Sequence, residues 1–325
     1  MRRREFIGLL GAVSAWPLAA CAQQVPVVGY LHTQSVRSVE AATAAFSRGL
    51  AEAGFLGAQT ILLEYRYADG QPGRLPALAA DLVERKVSVI AAMGGSQAVV
   101  AAKAATTTIP IVFTRGDADP AAAGIVSSLA RPQGNVMGIS LLGGSLGAKR
   151  LELLREVVPA ARTIGILINP ENRAVGNELQ ELQSAIVAAG QKPLIVHSGA
   201  ADNLETAVPT LVRERADALV VAADPIFTNR RTQLAKLASD HRIPTIYQWS
   251  LFMAAGGLMS YGTDIPEVYR QAGAYTARVL KGTKPADLPV LQPTKFELVI
   301  NLKAARAIGL DIPATLLAGA DDVLE

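Results

Sequence analysis

The chain has 325 residues, half of them hydrophobic, 5% aromatic and 18% charged, with a mean hydropathy of +0.27; this excludes disordered and collagen-like classes and is long enough for two cores. It carries 31 basic and 28 acidic side chains, and with Arg2, Arg3, Arg4 and Glu5 set aside the remainder is nearly neutral, which argues against a nucleic-acid partner. One cysteine and three histidines exclude an internal disulfide and leave little material for a zinc site, so no metal or other cofactor is expected.

Three arginines precede an apolar run from Phe6 to Ala20, the charged and apolar regions of an export signal, too short to span a bilayer. Arg3-Arg4-Glu5-Phe6-Ile7 looks like a twin-arginine signal, the class that exports folded proteins. Two processing sites compete. Ala20-Cys21-Ala22 fits cleavage before Gln23, and Leu18-Ala19-Ala20-Cys21 resembles a lipobox in which Cys21 is acylated. Residues 1–22 are read as this leader and the remainder as periplasmic, either free or lipid-anchored. No other stretch reaches the roughly 18 uninterrupted apolar residues of a spanning helix.

From Val25 onward, β-branched runs alternate with segments of helical period, the pattern of an α/β fold with parallel sheets. Val25 to Leu31 reads as a strand, and Glu40 to Ala53 as a helix stopped by Gly54. A strand at Ile61 to Tyr65, a helix carrying Leu75, Leu78 and Leu82, a strand at Val87 to Ala92, a helix from Ser96 and a strand at Ile109 to Thr114 follow. The march repeats with strand Thr163 to Ile168, helix Ala174 to Ala189, strand Pro193 to Val196, helix Asn203 to Arg213 and strand Ala218 to Ala222. A helix near Arg230 to Ser239 and a strand at Ile243 to Tyr247 complete it. Beyond Trp249 come single elements: strand Leu258 to Tyr261, helix Glu267 to Leu280, strand Phe296 to Ile300 and helix Leu302 to Ile308.

The halves also share residues. The segment from Leu82 to Ile90 matches that from Leu211 to Leu219 at an offset of 129, Ile109-Pro110 matches Ile243-Pro244 at 134, and Gly29 matches Gly165 at 136. Two equivalent lobes follow, each a parallel sheet flanked by helices and joined by a hinge crossed more than once. The first is read as residues 25–141, completed by about 251–285, and the second as 142–249, completed by about 286–325.

Open parallel sheets bind ligands beyond the carboxyl ends of their strands, where helix N-termini present free N–H groups. Those positions hold Tyr30, His32 and Thr33, then Gly94-Gly95-Ser96-Gln97, then Thr114, Arg115, Gly116 and Asp117 in the first half. In the second they hold Asn169, His197 and Ser198, Asp224, and Tyr247, Gln248 and Trp249. The glycine turn before Ser96 is either an anion cradle suited to a carboxylate or an ordinary strand-to-helix turn with Ser96 as N-cap. Asp224-Pro225 and Asp119-Pro120 fit N-cap aspartate followed by proline, and Asp224 or Asp117 could also meet a ligand ammonium. Tyr30, Tyr247 and Trp249 offer aromatic faces to a ligand or to the core; His32 and His197 read as surface or hydrogen-bonded residues.

Several stretches resemble substrate-binding proteins of ABC transporters, in the tryptophan/tyrosine-type group with the type I periplasmic-binding fold. They are residues 75–83 (from Leu75-Pro76), 128–136 (from Ser128-Leu129), 149–156 (from Lys149-Arg150), 256–262 (from Gly256-Gly257) and 292–302 (from Gln292-Pro293). The similarity extends over residues 25–325. It implies a monomeric, non-enzymatic receptor that closes on a small amino-acid-like or aromatic carboxylate solute and presents it to a permease in the inner membrane. By the same resemblance, Gly95, Ser96 and Gln97 with Thr114 would take a carboxylate, and Asp224 or Asp117 an amine. Gln97 stands where some relatives carry proline.

One motif favours a different class. Gly143-Gly144-Ser145-Leu146-Gly147 matches the G-x-S-x-G nucleophile elbow between a candidate strand and a helix, with aspartates and His197 or His241 later in the chain. That pattern would suit an exported α/β serine hydrolase, although Ser145 also reads as the N-cap of the helix bearing Leu151, Leu154 and Val158. The ligand-sensing lobe of a signalling system shares the same binding physics.

Overall fold

The computed structural model describes residues 25–55, 57, 60–115, 120–141, 146–172, 175–199 and 204–325. Residues 1–22, read from the sequence as a leader and including Cys21, lie outside the described residues, as do Asp117, Asp119 and Ser145.

Strands β1 (Val27–His32), β2 (Leu62–Tyr67), β3 (Val89–Met93), β4 (Ile111–Arg115) and β5 (Val136–Ser140) form a parallel sheet in the order β2-β1-β3-β4-β5. β6 (Thr163–Ile168), β7 (Lys192–His197), β8 (Ala218–Val221), β9 (Thr245–Tyr247) and β10 (Met259–Thr263) repeat that order as β7-β6-β8-β9-β10. β11 (Phe296–Asn301) adds antiparallel to β10, and the short edge strand β12 (Asp322–Leu324), which the sequence reading lacks, pairs with β11. β3, β4 and β5 are buried at every position, whereas edge strand β2 is not. That contrast is expected of a parallel sheet covered on both faces.

Eleven helices are present among the described residues: α1 (Glu40–Glu52), α2 (Leu75–Glu84), α3 (Ser96–Ala105), α4 (Gly147–Val157), α5 (Val175–Ala188), α6 (Leu204–Arg213), α7 (Pro225–Asn229), α8 (Arg231–Asp240), α9 (Ile265–Leu280), α10 (Leu302–Ile308) and α11 (Ala314–Ala318).

The internal repeat has a packing cause. A Cβ at Gly29 would stand 2.8 Å from the Leu82 side chain, and one at Gly165 would stand 2.6 Å from Leu211. The glycine in the first strand of each lobe is thus the socket for a leucine of the helix that leads into that lobe's third strand. Both helices then stop in the same way. Val87 N–H bonds to Leu82 O and Lys86 N–H to Val83 O; Ala216 N–H bonds to Leu211 O and Arg215 N–H to Val212 O. These are paired Schellman caps in which Lys86 (φ 54°) and Arg215 (φ 60°) take the left-handed position usually given to glycine.

Residues 251–285, expected together in the first lobe, are divided between the two. β10 sits in the second sheet, with Met259 and Ser260 in register with Ile246 and Tyr247 of β9. α9 crosses back to the first lobe and packs on α1. There a Cβ on Gly49 would stand 1.9 Å from Arg270 O, and one on Gly273 would stand 2.1 Å from Phe46 O. The two helices approach at a distance only glycine permits.

The chain passes between lobes after β5, after β10 and again between Leu291, bridged to Ile139, and β11. Thr263 Oγ1 donates to Leu141 O at 2.8 Å, which ties the first two passages together.

Candidate functional site

The strand ends of the two sheets enclose a cavity of about 720 Å³ between the lobes. The lobes meet beside it: a Cβ on Gly95 would stand 3.3 Å from Pro225, and one on Gly70 would stand 2.9 Å from Asn229 Nδ2. Asp224 and Pro225 also border a second cavity of about 820 Å³.

The first-lobe wall begins with the turn between β3 and α3. Gly94 (φ 84°) and Gly95 (φ 122°) hold backbone conformations that L side chains rarely adopt. A Cβ on Gly94 would stand 2.5 Å from Thr33 Oγ1, and that hydroxyl donates to Gly94 O at 2.8 Å. Thr114, at the end of β4, and Leu141, after β5, continue the wall. Thr114 donates to Met93 Sδ at 3.4 Å.

The second-lobe wall is built on Asp224. It caps α7 by accepting from Ile226 N at 2.7 Å, as the Asp-Pro pair predicts. Its other carboxylate oxygen accepts from Asn169 Nδ2 at 3.1 Å and Asn172 Nδ2 at 2.9 Å. Three N–H donors therefore fix a carboxylate that is only 6% exposed and borders the cavity. The preceding residue is braced from behind, since Glu178 accepts from Ala223 N at 3.0 Å and pairs through its other oxygen with Arg150. Burial pushes the Glu178 carboxyl up to about 7 despite that arginine. Trp249, Ser250 and Leu251 close this side.

Of the residues singled out from the sequence, Gly94, Gly95, Thr114, Asp224 and Trp249 meet on this cavity. Ser96 and Gln97 border the second cavity instead. Thr33 lies behind Gly94 as its brace. Tyr30 is fully buried, its hydroxyl 3.2 Å from Thr43 Oγ1 and its ring against Phe46 and Tyr65. Tyr247 is also fully buried and stacks on Phe252 at 4.4 Å. Asp117 lies outside the described residues.

The cavity has walls that strand-end reasoning does not reach. Gln34, Arg37 and Glu40 come from the segment leading into α1, Arg231 from α8, and Ile265 and Tyr269 from the first turns of α9. Asp264-Ile265-Pro266 is legible as a capped helix start, but nothing local shows that α9 returns to the first lobe. His32 is buried, with Nδ1 accepting from Gln34 N at 3.0 Å and Nε2 3.0 Å from the Tyr269 hydroxyl. Loss of water around the ring lowers its pKa to about 3.

Two lobes of matching topology around a cavity at their strand ends define the type I periplasmic-binding fold. A family model described as ABC transporter substrate binding protein matches residues 27–324, and the chain belongs to that family. It is 28% identical over 276 residues to a tyrosine-binding protein of Clostridioides difficile (strain R20291), covering 84% of this chain and 78% of that protein. Among solved structures, a conserved domain protein from Vibrio cholerae aligns with a TM-score of 0.86 at 25% identity, over 92% of this chain and all of that one. An ABC domain in complex with L-Trp from Streptococcus pneumonia aligns with a TM-score of 0.83 at 24% identity, over 92% of this chain and 99% of that one. The chain is thus the substrate-binding component of an ABC transporter, and such components work outside the cytoplasm.

Proposed function

We propose that this receptor binds an aromatic or large apolar amino acid between its lobes and delivers it intact to an inner-membrane permease. The observation that carries this reading is the cavity itself: about 720 Å³, with apolar walls from Val39, Leu141, Leu251 and Ile265, aromatic faces from Trp249 and Tyr269, and the Asp224 carboxylate at one side. The relatives whose names mention tyrosine and L-Trp lend support.

Magnitudes divide the labour. An indole or phenol ring removes about 150–250 Å² from water, or roughly 4–6 kcal/mol at 25 cal/mol per Å². A charge-assisted hydrogen bond contributes roughly 1.5–3 kcal/mol. The ring therefore supplies most of the affinity, and the polar wall decides that the ligand is an amino acid. Asp224 takes the ammonium group in this reading. A ligand that touches both lobes favours their closed arrangement by the difference in its affinity for the closed and open states.

Export by the twin-arginine leader, with cleavage before Gln23 or acylation at Cys21, belongs to the same reading and follows from the N-terminal sequence. A thermal-shift panel of amino acids and aromatic acids tests the ligand class, since a solute at a hundred times its Kd stabilises the fold by about 2.7 kcal/mol. Aromatic or large apolar amino acids are expected to raise the melting temperature. A panel with no shift, or a ligand recovered chemically altered, overturns the reading.

A further inference from the structure

His32 and Tyr269 form a hydrogen-bonded pair at the cavity wall whose direction can be worked out. The His32 ring is 1% exposed and neutral at physiological pH, so it carries one N–H. Nδ1 already accepts the Gln34 backbone N–H at 3.0 Å. The ring hydrogen is therefore on Nε2, and Nε2 donates to the Tyr269 oxygen at 3.0 Å. The two rings are stacked, 27° apart with centroids at 6.1 Å. With its oxygen accepting from His32, Tyr269 has its own O–H left to donate, and the Thr114 side chain and the Gly94 backbone stand as hydrogen-bond partners beside that hydroxyl. Gly94, Gly95 and Thr114 border the cavity with it.

We propose that the Tyr269 hydroxyl, oriented by His32, donates to the carboxylate of the bound amino acid and so forms the first-lobe half of a clamp whose second-lobe half is Asp224. This inference rests on the amino-acid reading above. It moves the carboxylate seat from the first turn of α3 to the wall formed by Gly94, Gly95, Thr114 and Tyr269, because Ser96 and Gln97 face the other cavity. His32 is a positioning residue in this scheme, touching the phenol and not the ligand. Two cations compete for the same anion. Arg37 is exposed at the cavity rim, and Arg231 is half-buried on the second lobe with Nη1 donating to Thr228 O at 3.1 Å. The experiment must separate them from Tyr269.

The test is calorimetric. L-tryptophan, L-tyrosine, L-phenylalanine and L-leucine are titrated into the wild-type protein, Tyr269→Phe, Arg231→Gln and Arg37→Gln, each beside its decarboxylated amine: tryptamine, tyramine, phenethylamine or isoamylamine. The wild type is expected to bind an amino acid at least tenfold more tightly than its amine. Tyr269→Phe is expected to lose at least tenfold for the amino acid while its affinity for the amine stays within about twofold, with the melting temperature of the free protein checking the fold. Wild-type binding of amine and amino acid with equal affinity overturns the carboxylate seat without any variant. Unchanged amino-acid affinity in Tyr269→Phe, equal losses for both probes, or discrimination that disappears only in Arg231→Gln or Arg37→Gln overturns the role of Tyr269 and leaves the receptor reading standing. Wild-type binding of none of the eight compounds overturns that reading and this inference together. For His32, the His32→Gln variant keeps an amide donor and is expected to retain more affinity than His32→Leu; equal losses in the two would remove its positioning role.

Discussion

Asp224→Asn isolates the charge at the centre of the second-lobe wall while preserving shape. The asparagine Oδ1 can still accept from Ile226 N, so the α7 cap survives. Its Nδ2, however, would face Asn169 Nδ2 and Asn172 Nδ2, which now stand 3.1 and 2.9 Å from an acceptor. Asn169 cannot simply turn its amide over, because its own oxygen accepts from Glu171 N at 3.0 Å. Leaving a buried donor unsatisfied costs about 1–3 kcal/mol, and with two donors affected and Asn172 closer to solvent, a net loss of about 2–4 kcal/mol is expected. At about 2–4 °C per kcal/mol for a chain of this size, the melting temperature should fall by roughly 4 °C or more. Loss of an ammonium partner contributing about 1.5–3 kcal/mol should also weaken an amino-acid ligand about tenfold or more. Differential scanning calorimetry measures the first effect and isothermal titration the second. An unchanged melting temperature would refute the hydrogen-bond reasoning, and an unchanged Kd with a lowered melting temperature would remove Asp224 from the ligand.

Gly273→Ala should force α1 and α9 apart, since the new Cβ would stand 2.1 Å from Phe46 O. Overpacking of about 1–3 kcal/mol exceeds much of the roughly 1 kcal/mol of helix propensity gained, so a lower melting temperature is expected, together with weaker binding as Tyr269 shifts with α9. Acidification should destabilise the protein through His32, whose folded pKa of about 3 lies below its ordinary 6.5. Between those values the unfolded chain binds a proton that the folded one does not, so this contribution is present above pH 6.5 and is lost as pH falls, at up to about 1.4 kcal/mol per unit. Urea denaturation at pH 7 and pH 5 should show about 2 kcal/mol of it, and His32→Gln should flatten that slope. Trp249 borders the cavity, and it is the chain's one tryptophan besides Trp16. Its emission should change on ligand addition, and no change at a concentration that calorimetry shows to be saturating would place the ligand elsewhere.

Much of this architecture is written locally. Parallel strands buried on both faces require continuous β-branched runs, so the strand from Thr163 to Ile168 and the helix beginning at Ser96 are legible to the residue. The Asp224-Pro225 cap is equally local, because its partner Ile226 lies two residues away. The repeat was visible as offsets, but its cause, leucine seated over glycine in each lobe, is a contact between residues about fifty positions apart. The site was legible in part. Strand-end logic reaches Gly95, Thr114, Asp224 and Trp249, yet it also gathers Tyr30 and Tyr247, which alternation along their strands turns into the core.

What the amino-acid sequence determined by itself is everything that depends on periodicity and neighbours: two β/α repeats, their caps and the turn that places glycines at the cavity. Only the tertiary structure decided which lobe each late element joins and what lines the cavity between them. β10 follows the hydrogen-bonding needs of β9 and β11 into the second sheet, while the glycine contacts of α1 and α9 draw the next helix back to the first. Tyr269 reaches His32 across 237 residues of chain for that reason. No local pattern encodes such a pair, because the two meet only through the packing of α9 on the first lobe.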